Sequence, residues 1–226
     1  MQTAPRFDID MDALWHDPYP QLARLRAEAP VAFVPQLDGI VFTRRDDIDI
    51  WEKRIDIFSS EQPGGLMTRL MGQNMMRHDG DAHQSQRRAM QPAVSPRAVQ
   101  RHWRNAFREA AVRVLDELAP KGRADLCTDY AMTLSGEALR LITGLDNVTA
   151  HEMDAHSQAM IDGISNYAGD ADIEARCLGA VTALDAAIGV RLDDFAASPP
   201  DPNSIDGVSV ISVLQRAGAT HDQILA

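Results

Sequence analysis

Cysteine is nearly absent. The chain has two in 226 residues, Cys127 and Cys177, far apart and with no CxxC spacing. That excludes a disulfide framework and a paired-thiol redox or zinc motif, and points to a reducing, cytoplasmic compartment. Aromatic residues make up only 5%, so a core built on stacked rings is excluded. Ala, Leu, Ile, Val and ten Met must fill the interior, a mixture that suits helix packed on helix. No apolar run approaches the roughly 18 residues that a membrane-spanning helix needs. The opening "MQTAPRFDIDMDALW" has neither a basic n-region nor a long apolar stretch, so no secretory leader is expected. Internal repeats are missing, which excludes solenoids. Positive charge is also short: the net charge of -11 argues against nucleic-acid or anionic-membrane binding, because counterion release needs a basic surface.

What is present reads as one mostly α domain over 1–226, with a small β-hairpin near residues 31–43. "HDPYPQLARLRAEAPVAFVP" gives a Pro-punctuated entry, a short helix carrying Leu22 and Leu25, and a strand from Val31 to Val34. A turn at Asp38-Gly39 leads to a second strand, Ile40 to Thr43, and a helix from about Arg45. The Gly-, Ser- and Met-rich "FSSEQPGGLMTRLMGQNMM" has weak periodicity and reads as a long loop. From Ser95 as N-cap and Pro96 at the first helical position, Val99, Trp103, Phe107, Ala110, Val114 and Leu118 recur at steps of three or four, predicting a helix that ends near Pro120-Gly122. Further helices are predicted at about 130–142, 150–167 and 172–195, the last with Val181, Leu184, Ile188 and Leu192 on one face. A polar connector precedes a short helix over "VSVISVLQRAG", and "THDQILA" opens another, with Thr220 and Gln223 as a capping box.

The chemistry-bearing residues are few. There is no GxSxG, HExxH, Walker loop or GxGxxG. His83 and Arg87, at i and i+4 in "HDGDAHQSQRRAM", share one side of a helix and can jointly grip a carboxylate or phosphate, or else form a solvated face. Arginine suits the first role because its planar fork matches a carboxylate and keeps its charge. Between Arg77 and Arg113 stand eight arginines against three acids. One basic face is therefore expected on an acidic protein. Arg97, Arg101, Arg104 and Arg108 on that face are either the wet side of an amphipathic helix or a docking surface for an acidic protein. Met67, Met71, Met75 and Met76 either line a pliable apolar pocket or fill gaps in a core.

Taken in order, "DPYPQLARLRAEAPVAFVP", "GIVFTRRDDI", "FSS", "HDGDAHQSQRRAMQPAVSPRAV", "LDELAPKGRADLCTDYAMTLSGEALRLITGL" and "VSVISVLQRAG…THDQILA" resemble the bacterial soluble cytochromes P-450. The central block is the most specific part. Asp79, His83, Arg87, Arg88, Pro96 and Arg97 occupy the family's places, while Gly80 and Asp81 replace two prolines. The resemblance implies a haem-thiolate monooxygenase that inserts one oxygen atom of O2 into an apolar small molecule. It implies that His83 and Arg87 bind the propionates of haem b. It places Leu66, Met67 and Met71, with Met160 and Ile164, at the substrate pocket, and Arg88, Arg97 and Arg101 on a face toward a ferredoxin or similar electron donor. The resemblance covers the first half of the family's length. The oxygen-activating helix and the Cys-ligand loop lie beyond it, and neither Cys127 nor Cys177 has that loop around it. The expectation is thus a chain truncated before those elements, with no catalytic residue or metal ligand of its own and inactive alone. A non-catalytic helical ligand-binding protein that keeps the scaffold is the other reading.

Overall fold

The computed structural model describes residues 4–225, which form two compact units, one through Ser60 and one from Glu61. In the first, helices α1 (Met11–His16) and α2 (Pro18–Glu28) precede strands β1 (Val31–Val34) and β2 (Gly39–Phe42) and helix α3 (Arg45–Trp51). Two aspartates set the helix starts. The carboxylate of Asp10 accepts from the Ala13 amide and that of Asp17 from the Tyr19 amide, just before a proline at the first helical position, satisfying amides that a helix start leaves orphaned. The hairpin is antiparallel, pairing Val31 with Phe42 and Val34 with Gly39. Its second strand begins one residue earlier than the sequence suggests, because Asp38 takes the left-handed conformation (φ 46°) and closes the turn directly before Gly39. Alternation puts Ala32 and Val34 inside with Phe7, Ile9 and Leu25.

The second unit contains α4 (Leu66–Met71), α5 (Gly80–Val94), α6 (Pro96–Ala98), α7 (Arg104–Leu118), α8 (Thr133–Thr143), α9 (Ala150–Ile164), α10 (Ala171–Ala197), α11 (Ile205–Val208), α12 (Val210–Arg216) and α13 (His221–Leu225). The expected loop over 58–76 is thus broken by a helix. α4 is too short for a periodic signal; it is held by buried Leu70 and by an Arg69–Glu174 ion pair at 3.7 Å, and Gly72 at φ +78° stops it. Ser95 caps α6 as predicted, its hydroxyl accepting from the Ala98 amide at 3.1 Å. A π-turn (Val99–Trp103) then joins α6 to α7, and a second one (Leu126–Met132) leads into α8. The first lets the buried Trp103 indole donate to the Ala93 carbonyl at 2.7 Å, so the α7 stripe also satisfies the end of α5.

Three helices form the centre. α10 packs on α9, and α9 on α8, with Leu145, Val148, Met153, Leu192, Phe195 and Ile211 as the core. The close approach depends on glycine: a Cβ on Gly136 would strike the Ala150 carbonyl, and one on Gly163 the Cys177 side chain. Arg191, nearly buried, donates to the Gly144 carbonyl at 2.9 Å, pairs with Asp146 at 2.9 Å and lies over the Phe195 ring. The Thr220/Gln223 capping box is present, each backbone amide donating to the other's side chain at 2.9 and 3.3 Å.

Candidate functional site

α5 carries the pair singled out from sequence. Gly80, its first residue, has φ +55°, a conformation that proline's ring forbids; the glycine therefore changes how the chain enters the helix. One turn later the ring of His83 is fixed by the Met75 carbonyl, 3.1 Å from Nδ1. A carbonyl only accepts, so Nδ1 carries the proton, and in the neutral ring Nε2 is left with a lone pair. Nε2 can donate to an anion only when the imidazole is protonated. Arg87, four residues on and on the same side of the helix, is exposed and borders a shallow depression with Gln84, Arg88 and Gln91. Among the described residues it has no hydrogen bond or ion pair.

The adjoining sector of α5 is different in character. Gln86, Ala89 and Met90 face Leu214 of α12 and Ile224 of α13 across a cavity of about 420 Å³, and the buried Gln86 Oε1 has no partner there.

A second cavity, of about 350 Å³, lies beside α4 and α10. Met71, Met75, Met76 and Met160 line it together with Leu184 and Asp185. Of the five residues expected at a substrate pocket, the structure brings Met71 and Met160 to this cavity, while Leu66 and Met67, both half-buried on α4, and Ile164, at the end of α9, lie outside its lining. Asp185 was not singled out from sequence. The available signal was one acid inside the apolar series Val181, Leu184 and Ile188. Burial pushes its carboxyl above the ordinary range, partly offset by His221.

Arg88 on α5, Arg97 on α6 and Arg101 in the π-turn are all exposed. Of the other arginines on this basic stretch, Arg113 pairs with Glu137 at 2.8 Å. Glu137 also accepts from Arg140 within α8; the Arg140 bonds, and then the Arg113 one, keep its carboxyl below the ordinary range, and the Arg113 pair ties α7 to α8. Cys127 is exposed in the second π-turn and Cys177 is buried in α10, its thiol pushed up by burial. Among the described residues no helix is long and apolar enough to cross a membrane.

This order of hairpin, α5, paired α9 and α10, and short α12 and α13 is the mostly helical fold of the bacterial cytochromes P-450. Cytochrome P450 260B1 of Sorangium cellulosum So Ce56 matches it with a TM-score of 0.71 at 22% identity, over 99% of this chain and 56% of that one. P450BioI, solved with an acyl carrier protein ligated to hexadec-9Z-enoic acid, matches with a TM-score of 0.78 at 16% identity, over 94% and 56%. By sequence the chain is 28% identical over 144 residues to a C-19 steroid 1alpha-hydroxylase of Sorangium cellulosum (strain So ce56), a stretch that is 62% of this chain and 36% of the hydroxylase. No family model matches. The chain spans about half the length of the solved structures it matches. The sequence resemblance and these matches thus agree on the fold of the cytochromes P-450.

Proposed function

We propose that this chain forms the N-terminal half of a haem-thiolate monooxygenase acting on an apolar small molecule, with electrons from an acidic ferredoxin or similar donor. The observation that carries the reading is the unpaired Arg87 one helical turn from an oriented His83, on a P-450 fold. An unpaired guanidinium and an imidazole whose free nitrogen becomes a donor on protonation are a donor set suited to carboxylates, and the propionates of haem b are carboxylates. Haem, ligated by a Cys thiolate from outside this chain, would supply the activation of O2. The chain's own residues do the rest. Arg87 and His83 hold the propionate edge, and the methionine-lined cavity takes up an apolar substrate and keeps water from it. The exposed Arg88, Arg97 and Arg101 steer the donor. Without the thiolate the 226-residue chain alone is inactive and holds haem weakly.

The test is spectroscopic. The complete protein, reduced under CO, should show the red-shifted Soret band of thiolate-ligated haem, and the chain alone should not. Well-folded complete protein that takes up no haem would return the reading to a non-catalytic ligand-binding scaffold.

A further inference from the structure

The cavity beside α10 holds one ionisable group that the fold leaves without a partner. Asp185 projects from the same helix as Leu184 and lies among Met71, Met75, Met76 and Met160. It has no hydrogen bond and no cationic nitrogen within 4.0 Å among the described residues; the one titratable neighbour that influences it is His221, on α13. The other polar lining group, the buried Asn74 amide, is already engaged: its oxygen accepts from the Met76 amide at 3.0 Å, and its nitrogen leans on the Gly72 carbonyl at 3.5 Å.

A half-buried carboxylate in apolar surroundings is costly, since it gives up water without gaining a donor. Arg191, on the same helix, shows the alternative: its charge is met by Asp146 and by the Gly144 carbonyl. Among the described residues Asp185 has no hydrogen-bond or ion-pair partner, only the electrostatic influence of His221. An apolar wall with a single acceptor-only anion is complementary to a molecule with a hydrophobic body and one ammonium group. The ammonium supplies the missing donors, and the charge-assisted bond strengthens in a cavity with few competing waters.

We infer that the Met71/Met160 cavity is a binding site for apolar amines, with Asp185 as the counter-ion that distinguishes a protonated amine from its neutral isostere. The inference deepens the proposed function by naming the substrate class of its cavity, and it rests on that reading for the amine's being a substrate. Binding itself needs no haem.

The test compares 1-adamantanemethylamine with 1-adamantanemethanol, which differ only in the charged head, by calorimetric titration of the full 226-residue chain at pH 7. The amine should bind about tenfold tighter or better. Asp185→Asn, which keeps shape and removes charge, should bring the ratio to about one with alcohol binding unchanged. Met160→Trp, which fills the cavity, should weaken both. A ratio near one in the parent, a ratio preserved in Asp185→Asn, no binding of either probe, or full binding of both by Met160→Trp would each overturn the inference. Haem titration of the complete protein, whose haem uptake the proposed function requires, separates the two ideas. Haem uptake through Arg87 without an amine preference refutes only the amine site, whereas an amine preference without haem uptake refutes only the monooxygenase reading.

Discussion

The pair on α5 makes a prediction in which two neighbouring substitutions cost haem affinity unequally. In the complete protein, Arg87→Ala removes a permanently charged fork from a haem propionate. A hydrogen bond to a charged group contributes about 1.5–3 kcal/mol. Because Arg87 is exposed, the lower end applies, and haem affinity should fall roughly tenfold at any pH where the propionate is ionised. Arg87→Lys keeps the charge but not the fork and should fall between.

His83→Ala behaves otherwise. The Met75 carbonyl holds the Nδ1 proton, so the neutral ring offers a propionate only a lone pair, while the imidazolium offers a charged donor. His83→Ala should therefore cost less than Arg87→Ala. The assay is titration of haem into apoprotein, followed by Soret absorbance for parent and variants. Arg87→Ala that binds haem like the parent would make the arginine an ordinary surface charge. A His83→Ala loss as large as that of Arg87→Ala would show that the Nδ1 assignment is wrong.

Arg101→Ala should leave haem affinity unchanged but slow reduction by the electron donor at low ionic strength, the difference fading as salt screens the surface; stopped-flow reduction against salt concentration measures it. Gly163→Ala should destabilise the chain by about 1–3 kcal/mol, because the new Cβ meets the Cys177 side chain where α9 and α10 touch, and thermal unfolding should show a lower midpoint that Gly163→Ala/Cys177→Ala partly restores. Asp185→Asn should stabilise. Burial raises the Asp185 carboxyl in the fold, so its contribution favours folding at pH below the ordinary carboxylate range and is lost as pH rises through the raised value. At pH 7 the variant should melt higher, by about 2–4 °C if relief is on the order of 1 kcal/mol, and at pH 3 the two should coincide; a lower midpoint at pH 7 would mean that Asp185 has a stabilising partner.

Much of the fold follows from local rules, and so was legible. Caps at Ser95, Thr149 and Thr220 are single-residue signals read within one helical turn. The hairpin needs only alternation and a turn. α4 escaped because about one and a half turns carry no periodicity, and its stability comes from Leu70 and Arg69 meeting α9 and α10 far along the chain. The π-turns escaped for the same reason. Whether Val99–Trp103 winds wider than an α-helix depends on where Trp103 must reach to bond Ala93, which local pattern does not encode.

The candidate site divides along the same line. His83 and Arg87 are visible because their relation is four residues of one helix. That the Met75 carbonyl dictates which His83 nitrogen carries the proton is not visible, since it depends on the chain entering α5 through a left-handed glycine. Asp185 and Arg191 make the point within a single helix. Both interrupt the apolar pattern of α10, and a sequence offers no ground for treating them differently. Arg191 is matched by a residue of the α8–α9 connection and by a carbonyl beside it, groups brought to it by the folding of two further helices. Among the described residues Asp185 has no hydrogen-bond or ion-pair partner, and it faces a cavity. A charge that the fold answers is part of the structure. A charge that the fold leaves unanswered, at a cost in stability, is where a ligand should be sought.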